Sequence, residues 1–326
     1  MRLSFINVLL FVLTINDKKQ AKLQKFMQFA SNILVLHDLN LQLVQVFHHK
    51  KELNSFIENH KKTGENVGMV PTMGALHEGH LSLISLAQKS CALVVVSIFV
   101  NPTQFNNPED LEKYPRTLKD DLALLKKSFD NCIIFAPEVQ EIYNDSITSE
   151  HFEFGEIASK MEGKYRAGHF DGVGTILKRL FEFVKPDKAF FGLKDYQQYL
   201  IVKKLVEITQ QNVEIIGCPI NREASGLARS SRNKQLSEEA QTQASLIYKI
   251  LQEVKSEFGT KSVADIKKGV KNEFEKNPIL KLEYFEISDA DDLEPISNKN
   301  TQNKSRAFIA AYANNVRLID NIALNY

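Results

Sequence analysis

The chain has 326 residues, a length that exceeds what one small hydrophobic core usually holds and that favours two domains. Hydrophobic residues make up 43% and charged residues 25% of the chain, which argues against disordered, collagen-like and coiled-coil proteins. The formal net charge is +1, so no bulk charge favours nucleic acid or a membrane as a partner. Function should therefore depend on specific sites.

The three cysteines favour a reducing compartment. Cys91, Cys132 and Cys218 lie far apart, show no CxxC spacing, and sit inside or beside apolar runs. Buried thiols are the simplest interpretation, and a disulfide or a zinc site is less favoured. The sequence thus predicts a cytoplasmic protein.

The N-terminus carries an apolar run, residues 3–13, that is similar to the core of a signal peptide. This run is interrupted, has no clean cleavage site, and is followed by the polar residues 17–22. Met27 offers an alternative start, so we expect residues 1–26 to be a non-native or disordered extension. No other segment approaches the ~18 apolar residues that a membrane-spanning helix needs.

From Val35 onward, short β-branched runs alternate with longer amphipathic segments, a pattern typical of βα units around a parallel sheet. The predicted strands of this sheet are residues 67–70, 93–100, 132–135, 188–191 and 213–218. The predicted helices are residues 77–89, 120–128, 173–183 and 195–207. An α/β layered fold is expected, with a domain boundary near Pro219.

Beyond Pro219 the pattern predicts a smaller α+β domain. Ser237 is placed to cap a long helix, because acidic residues fill the turn that follows it. Residues 282–287, 306–312 and 316–320 are predicted strands. The lysines of residues 261–276 are expected to face solvent.

A first candidate site follows the predicted strand that ends at Val70. It consists of Met73, Gly74, Ala75, Leu76, His77, Glu78, Gly79 and His80. Backbone amides and the dipole at the start of a helix favour anions, and two histidines three residues apart could hold phosphate oxygens. The alternative is a pair of capping or partly buried histidines. The spacing excludes the H-E-x-x-H pattern of zinc proteases.

Two further segments carry polar groups suited to nucleotides. In residues 225–233, serine hydroxyls lie close to Arg229 and Arg232, whose planar guanidinium groups suit phosphate oxygens, although a solvated turn is equally compatible. In residues 190–198, Lys194 and Asp195 follow a strand, where open α/β sheets bind ligands. The alternative for Asp195 is a simple helix cap, and the two roles are compatible.

Six segments of the chain together resemble the pantothenate synthetase family. They are the three segments above and residues 100–105, 114–117 and 168–170. His77 to His80 look like the HIGH-type motif of the nucleotidylyltransferase superfamily, and Arg229 to Arg232 stand where its KMSKS-like element lies. The likeness extends from about Val67 to Asn233, and weakly beyond, and the order of the six segments makes it specific.

This resemblance implies a fold and a reaction. The fold is a Rossmann-like parallel sheet with helices on both faces, residues 27–219, and a smaller C-terminal α+β lid domain, residues 220–326. The reaction joins pantoate to β-alanine with Mg²⁺ and ATP. The carboxylate of pantoate attacks the α-phosphorus to give an adenylate and diphosphate, and the amine of β-alanine then displaces AMP. A homodimer is also implied.

The resemblance further implies roles for individual residues. The implied catalytic residues are His77, His80, Lys194, Ser230, Ser231 and Arg232, with His80 as proton donor. The implied ATP-binding residues are Met73, Gly74, Ala75, Leu76, His77, Glu78, Gly79, His80, Gly192, Leu193, Lys194, Asp195, Asn221, Arg229, Ser230, Ser231 and Arg232. Those implied for pantoate and β-alanine are Met73, Asn101, Gln104, Tyr114, Arg166 and Gln198. Glu162 and Arg166 match a flexible wall over the site, and Asp120 and Asp121 match positions near the metal.

Two positions depart from the family pattern. Leu193 stands where the family usually has Glu, and Arg229 where it commonly has Met or Leu. The first change removes an acidic neighbour of Lys194, and the second adds positive charge beside the residues implied to bind the triphosphate. Because neither removes a residue assigned to chemistry, we expect an active enzyme.

Three alternatives remain open at this point. The first is another adenylate-forming or nucleotidylyl-transferring enzyme with a different acceptor, although Gln104 and Gln198 favour a small polar acid. The second is a nucleotide-binding module that has lost catalysis, which Leu193 and Arg229 alone suggest. An RNA-binding role is less favoured, because no basic stripe interleaved with aromatic residues is visible.

Overall fold

A computed structural model describes residues 44–105, 107–129, 132–144, 146–298 and 304–325. The predicted extension, residues 1–26, lies outside these ranges, as does the predicted signal-like run. Contacts group Gln45–Tyr326 into one compact unit, so both sheets described below belong to the same body.

The larger sheet has six described strands, all paired in parallel. They are β1 (Val46–Phe47), β2 (Val67–Thr72), β3 (Leu93–Ile98), β4 (Cys132–Phe135), β5 (Lys188–Gly192) and β6 (Glu214–Cys218). The predicted parallel sheet is confirmed, and β1 is an additional edge strand. Its two residues are too few to form a periodic pattern, which is why the sequence does not reveal it.

The helices follow the predicted alternation with the strands. In chain order the described α-helices are α1 (Lys50–Lys61), α2 (Glu78–Gln88), α3 (Pro108–Lys113), α4 (Leu118–Ser128), α5 (Val139–Tyr143), α6 (Met161–Tyr165), α7 (His169–Val184), α8 (Tyr196–Thr209), α9 (Glu238–Ala244), α10 (Leu246–Glu257) and α11 (Val263–Glu275). Helix α7 begins before the predicted start at Val173, because Gly168 in a left-handed conformation (φ 75°) separates it from α6.

Helices cover both faces of the larger sheet. Side chains such as Met69 and Val95 join one buried cluster with residues of α1, α7 and α8. Their neighbours along the strands point the other way, toward α2, and there a Cβ at Gly68 would lie only 2.9 Å from Cys91 Sγ. Strands buried on both faces explain the continuous apolar runs in the sequence.

The strand order β1-β4-β3-β2-β5-β6 contains one reversal point. From β2 the chain moves outward through β3 and β4, then returns to the other side of β2 for β5 and β6. Ligands of open α/β sheets bind at the carboxyl ends of the strands where this order reverses. The turns after Thr72 and Gly192 therefore meet at one crevice.

The C-terminal part builds an antiparallel sheet of its own. Its strands are β7 (Leu280–Asp289), β8 (Ser305–Ala313) and β9 (Val316–Ala323), which lie in sequence order and share a hydrophobic core with α9, α10 and α11. The predicted smaller α+β unit is thus confirmed as a fold element. The division into domains at residues 219 and 220 stays a prediction.

The long helix predicted after Ser237 is wrong in one respect. Ser237 does cap a helix, accepting a hydrogen bond from the amide of Ala240. That helix ends at Ala244, however, and a separate helix begins at Leu246. Both helices bury apolar residues in the same core, so the hydrophobic pattern continues across the break.

The cysteines are buried and free, as predicted. Within the part of the chain that the structure describes, no helix is both long enough and apolar enough to cross a membrane.

Two helical glycines provide a matched test of this packing. A Cβ at Gly172 in α7 would lie 2.2 Å from the Thr103 carbonyl oxygen, whereas a Cβ at Gly269 in α11 would meet open space. Gly172→Ala should lower the free energy of unfolding by about 1–3 kcal/mol. Gly269→Ala should raise it by about 0.5–1 kcal/mol, and urea denaturation measures both. Equal effects of the two substitutions would contradict the described contact.

Candidate active site

A deep cleft lies at the carboxyl ends of β2 and β5, beneath the C-terminal sheet. Most predicted site residues line it. They are Met73, His77, Gly79, His80, Asn101, Gln104, Tyr114, Arg166, Gly192, Lys194, Asp195, Gln198, Asn221, Arg229, Ser230, Ser231 and Arg232. The fold thus brings together segments that are far apart in sequence, from Met73 to Arg232.

The predicted residues that do not line this cleft are Gly74, Ala75, Leu76, Glu78, Leu193, Asp120 and Asp121. The first three form the turn between β2 and α2, in which Gly74 and Ala75 both adopt left-handed conformations (φ 79° and 51°). A left-handed alanine is strained and needs support from its surroundings. The support comes from Asp121.

The Asp121 carboxylate holds this turn. It accepts hydrogen bonds from the amides of Ala75 (3.0 Å) and Leu76 (2.7 Å), and from the Thr117 hydroxyl (3.3 Å). Asp121 is buried, and Asp120 beside it is exposed. Both oxygens of Asp121 therefore accept hydrogen bonds from the protein itself, which gives this residue a structural role, and the metal contact implied by the resemblance stays a prediction.

His77 and His80 form a pair at the start of α2, with ring centroids 4.1 Å apart. The amide of Gly79 donates to His77 Nδ1 (3.1 Å), and the amide of His77 donates to His80 Nδ1 (3.3 Å). Since Nδ1 accepts in both rings, a neutral imidazole carries its proton on Nε2. Both histidines thus cap the helix, as one interpretation held, and both also line the cleft.

Burial keeps these histidines neutral. Burial, followed by the positive charges of Lys194 and Arg229, lowers the pKa of His77 to about 4. Burial, with His77 and Lys194 as further causes, lowers the pKa of His80 to about 3. The positive charge of this site therefore comes from lysine and arginine, and the histidines contribute N–H donors.

The Lys194 turn is held by a residue that the sequence does not reveal. Asn321 in β9 donates from its side-chain amide to the carbonyls of Leu193 (2.9 Å) and Lys194 (2.8 Å). The Lys194 ammonium lies 3.3 Å from Asp195, which stands at the N-cap position of α8 without a side-chain capping bond. Asn321 is 127 residues from Lys194, and no local motif could have indicated their contact.

The segment Arg229 to Arg232 closes over the first turn. The Ser231 hydroxyl donates to the Ala75 carbonyl (3.3 Å), and Arg232 forms an ion pair with Asp110 (3.2 Å). The buried Nε of Arg229 has no hydrogen-bond partner among the described residues. The solvated-turn interpretation is wrong for this half of the loop, whereas Ala224 and Ser225 before it are exposed.

The wall formed by α6 is fastened to the C-terminal sheet. Arg317 in β9 donates to both oxygens of Glu162 (2.7 Å each) and also to Glu283, while the Tyr284 hydroxyl donates to Glu162 at 2.9 Å. Burial alone would raise the pKa of Glu162, but the hydrogen bonds and charge of Arg317 outweigh burial and lower it. This ion pair therefore joins α6, on one side of the cleft, to β9 of the C-terminal sheet.

Glutamine and asparagine residues also line the cleft. Gln104, Gln197 and Gln198 all line it, and Gln197 is buried and donates to the carbonyls of Ile157 and Lys160. Asn101 is also buried and accepts a hydrogen bond from the Tyr143 hydroxyl. Gln104 and Gln198 are therefore placed to meet a ligand, whereas Gln197 supports the wall.

The family comparison agrees with this geometry. A family model described as pantoate-beta-alanine ligase matches residues 45–323. The chain belongs to the pantoate–β-alanine ligase family. Its resemblance to pantothenate synthetases, drawn from six sequence segments, is confirmed.

Relatives and solved structures match most of this ligase. It is 54% identical over 282 residues to the pantothenate synthetase of Christiangramia forsetii, covering 86% of this chain and 100% of the relative. It is 49% identical to that of Flavobacterium psychrophilum, over 86% of this chain and 99% of the relative.

Among solved structures, pantothenate synthetase from Thermus thermophilus superposes with a TM-score of 0.80 at 37% identity, covering 86% of this chain and 100% of that one. The ligase from Francisella tularensis, described as complexed with beta-gamma ATP and beta-alanine, superposes with a TM-score of 0.72 at 36% identity. It covers 86% of this chain and 98% of that one. The predicted Rossmann-like fold is confirmed.

The role of Asp121 can be tested by replacing it with asparagine. Asparagine has only one oxygen acceptor, so one of the two turn amides loses its partner. Asp121→Asn should lower the free energy of unfolding by about 1–3 kcal/mol, measured without metal or nucleotide. Asp120→Asn, an exposed control, should leave stability unchanged. A variant of Asp121 that kept its stability and changed only its Mg²⁺ dependence would favour the metal role.

The histidine tautomers can be tested by long-range ¹H–¹⁵N NMR of the ligand-free protein at about pH 6. His77 and His80 should be neutral with the proton on Nε2, because their lowered pKa values lie below this pH. His151 is an internal control, since hydrogen bonds to Asp171 and Glu153 raise its pKa and should keep it charged. Charged signals from His77 and His80 would contradict the assignment.

Proposed function

We propose that this ligase condenses pantoate with β-alanine through a pantoyl adenylate, with ATP as cosubstrate and AMP, diphosphate and pantothenate as products. One observation carries the proposal: groups suited to phosphate and groups suited to a small polar acid line the same cleft. Groups suited to phosphate lie at the ends of β2 and β5, and Gln104 and Gln198 line the same cleft. The confirmed ligase family supports this assignment.

In the first half-reaction the pantoate carboxylate attacks the α-phosphorus of ATP. His77 and His80 are suited to donate Nε2–H hydrogen bonds to phosphate oxygens, and Lys194, Ser230, Ser231 and Arg232 to hold the triphosphate. The histidines and the Lys194 turn are fixed by backbone contacts before ATP arrives, so little reorganisation accompanies the growth of charge on the leaving diphosphate. His80 is proposed as the proton donor.

In the second half-reaction the amine of β-alanine attacks the carbonyl carbon of the mixed anhydride and AMP leaves. Hydrolysis of this anhydride competes with the reaction, so the cleft must exclude water. The ion pair between Glu162 and Arg317 holds the wall formed by α6 in place beside the cleft. The Gln197 side chain supports this wall by accepting a hydrogen bond from the Glu162 amide. We propose that Gln104 and Gln198 bind pantoate, with Asn101, Tyr114 and Met73 beside them.

We propose that Mg²⁺ would accompany ATP at this site. In the described ranges no three His, Cys, Asp or Glu side chains gather as metal ligands, and the Asp121 oxygens are engaged with backbone amides. Mg²⁺ keeps most of its waters and binds readily to phosphate oxygens. We propose that it enters on the nucleotide and neutralises phosphate charge there.

A cytoplasmic location and a homodimer are also part of the proposal. The buried free thiols suit a reducing compartment, and no nucleic acid or membrane partner is needed for the reaction. A symmetric dimer is the commonest assembly of soluble oligomers.

The proposal is tested by AMP release from the purified protein with ATP and Mg²⁺. AMP should form only when pantoate and β-alanine are both present, and pantoate alone should support exchange of diphosphate into ATP. Lys194→Met should reduce that exchange by about 10²–10³-fold. The control Lys188→Met, at the opposite end of β5 and paired with Glu214, should leave it unchanged.

Each alternative has its own outcome in this assay. Exchange stimulated by another acid, and not by pantoate, would indicate a different acceptor. Tight ATP binding without any exchange would indicate a nucleotide-binding module that has lost catalysis, and Leu193 and Arg229 would be the first positions to revert.

A further inference from the structure

His169 is a buried histidine whose two ring nitrogens have partners on different segments. It is 5% exposed and begins α7. Its Nδ1 lies 3.0 Å from the Gln104 carbonyl oxygen, and its Nε2 lies 3.1 Å from Arg166 Nη1. A carbonyl only accepts and a guanidinium only donates, so Nδ1 carries the proton and Nε2 accepts from Arg166. The ring is therefore neutral and held in one tautomer.

The neutral state of His169 that these hydrogen bonds require agrees with its buried position beside a positive charge. Burial and, after it, the positive charge of Arg166 lower the pKa of His169 to about 4. His169 is thus a neutral acceptor for Arg166 at pH 7. No part of the reaction described above uses it.

Arg166 has no closer partner among the described residues to orient it. Glu162 lies one helical turn earlier, but its nearest oxygen is 3.9 Å from the Arg166 guanidinium. Both Glu162 oxygens instead accept shorter hydrogen bonds from Arg317, at 2.7 Å. The contact with His169, at 3.1 Å, is therefore the one that sets the direction of the Arg166 side chain.

The surroundings of Arg166 suit an anion of phosphate size. A cavity of about 50 Å³ adjoins the main cleft, and its walls include Arg166, Lys194, Ser230 and Arg232. Burial lowers the pKa of Arg166, and Arg232 lowers it further while Glu162 opposes the shift. Two guanidinium groups that line the same cavity can share one anion, and planar guanidinium forks match phosphate oxygens.

Three carboxylates also line this cavity, and each has a close cationic partner. Glu162 pairs with Arg317, Asp195 with Lys194, and Asp320 with Arg222. Because these carboxylates are already paired, the positive charges of the two remaining guanidinium groups are only partly neutralised by the cavity walls. Arg166 has just the 3.9 Å contact with Glu162, and Arg232 pairs with Asp110, which lies outside the cavity lining.

We propose that His169 is a positioning residue, which holds the Arg166 guanidinium toward the diphosphate that leaves ATP, and not toward the pantoate or β-alanine that the resemblance implies for Arg166. His169 also donates a hydrogen bond to the carbonyl of Gln104, a residue that we propose binds pantoate. One side chain therefore links the proposed diphosphate and pantoate sites. The inference rests on the proposed function, because diphosphate is the leaving group of that reaction. His169 itself contacts no reacting atom.

The test is a double-mutant cycle on the full chain, with inorganic diphosphate and AMP as probes in calorimetric titrations. Arg166→Met and His169→Leu should each weaken diphosphate binding about 10-fold to 100-fold, because each removes a hydrogen bond to a charged group. AMP lacks the β- and γ-phosphates, so its affinity should stay unchanged. Because His169 acts through Arg166, His169→Leu should cause no further loss in the Arg166→Met background.

A conservative variant separates positioning from packing. The amide of glutamine can donate to one partner and accept from the other, as the imidazole does, so His169→Gln should restore most of the diphosphate affinity. His169→Gln also keeps the test readable if the leucine variant does not fold. Additive losses in the double variant, or equal losses for AMP and diphosphate, would overturn the proposal.

The same experiment distinguishes failure of this inference from failure of the proposed function. Wild-type protein that makes pantothenate while His169→Leu binds diphosphate normally overturns the inference alone. Wild-type protein that binds diphosphate but makes no AMP with both substrates overturns the function, and the coupling between His169 and Arg166 can still be measured.

Discussion

The site depends on the parallel pairing of β2 with β5. Gly68 and Met69 align with Lys188 and Ala189, so the turn after β2 and the turn after β5 leave the sheet side by side. One turn presents the paired histidines and the other presents Lys194. The register of this pair ends at Met69 and Ala189, although the two strands continue to Thr72 and Gly192, so a crevice lies between their carboxyl ends. The contacts of Asp121, Ser231 and Asn321 are all made to these two turns.

Each turn is secured by a side chain from a distant element. Asp121 in α4 supplies the acceptors that the strained backbone of Ala75 needs, and Asn321 in β9 supplies donors for the Lys194 turn. The groups that we propose to bind phosphate are thus held by the protein itself, and the neutral histidines add donors without adding repulsion to the nearby cations. Catalysis by positioning requires this kind of preorganisation.

Much of the fold followed from local pattern. Strands buried on both faces produce apolar runs, and the helices between them produce amphipathic segments, so the parallel sheet and its layers were predictable. The short edge strand β1, the early start of α7 at His169 and the break at Ser245 were not, because each depends on one or two residues whose conformation is set by packing. The site segments were recognisable because their residues are contiguous.

The sequence by itself determined which segments are suited to phosphate and which family the chain resembles, since those features lie within runs of about ten residues. Only the tertiary structure decided what holds them. Asp121 turned out to support a backbone turn, Arg317 to fasten the wall through Glu162, and His169 to orient Arg166. These contacts join residues that are distant in sequence or ambiguous in type, and their meaning depends on burial and on hydrogen-bond geometry, which no local pattern records.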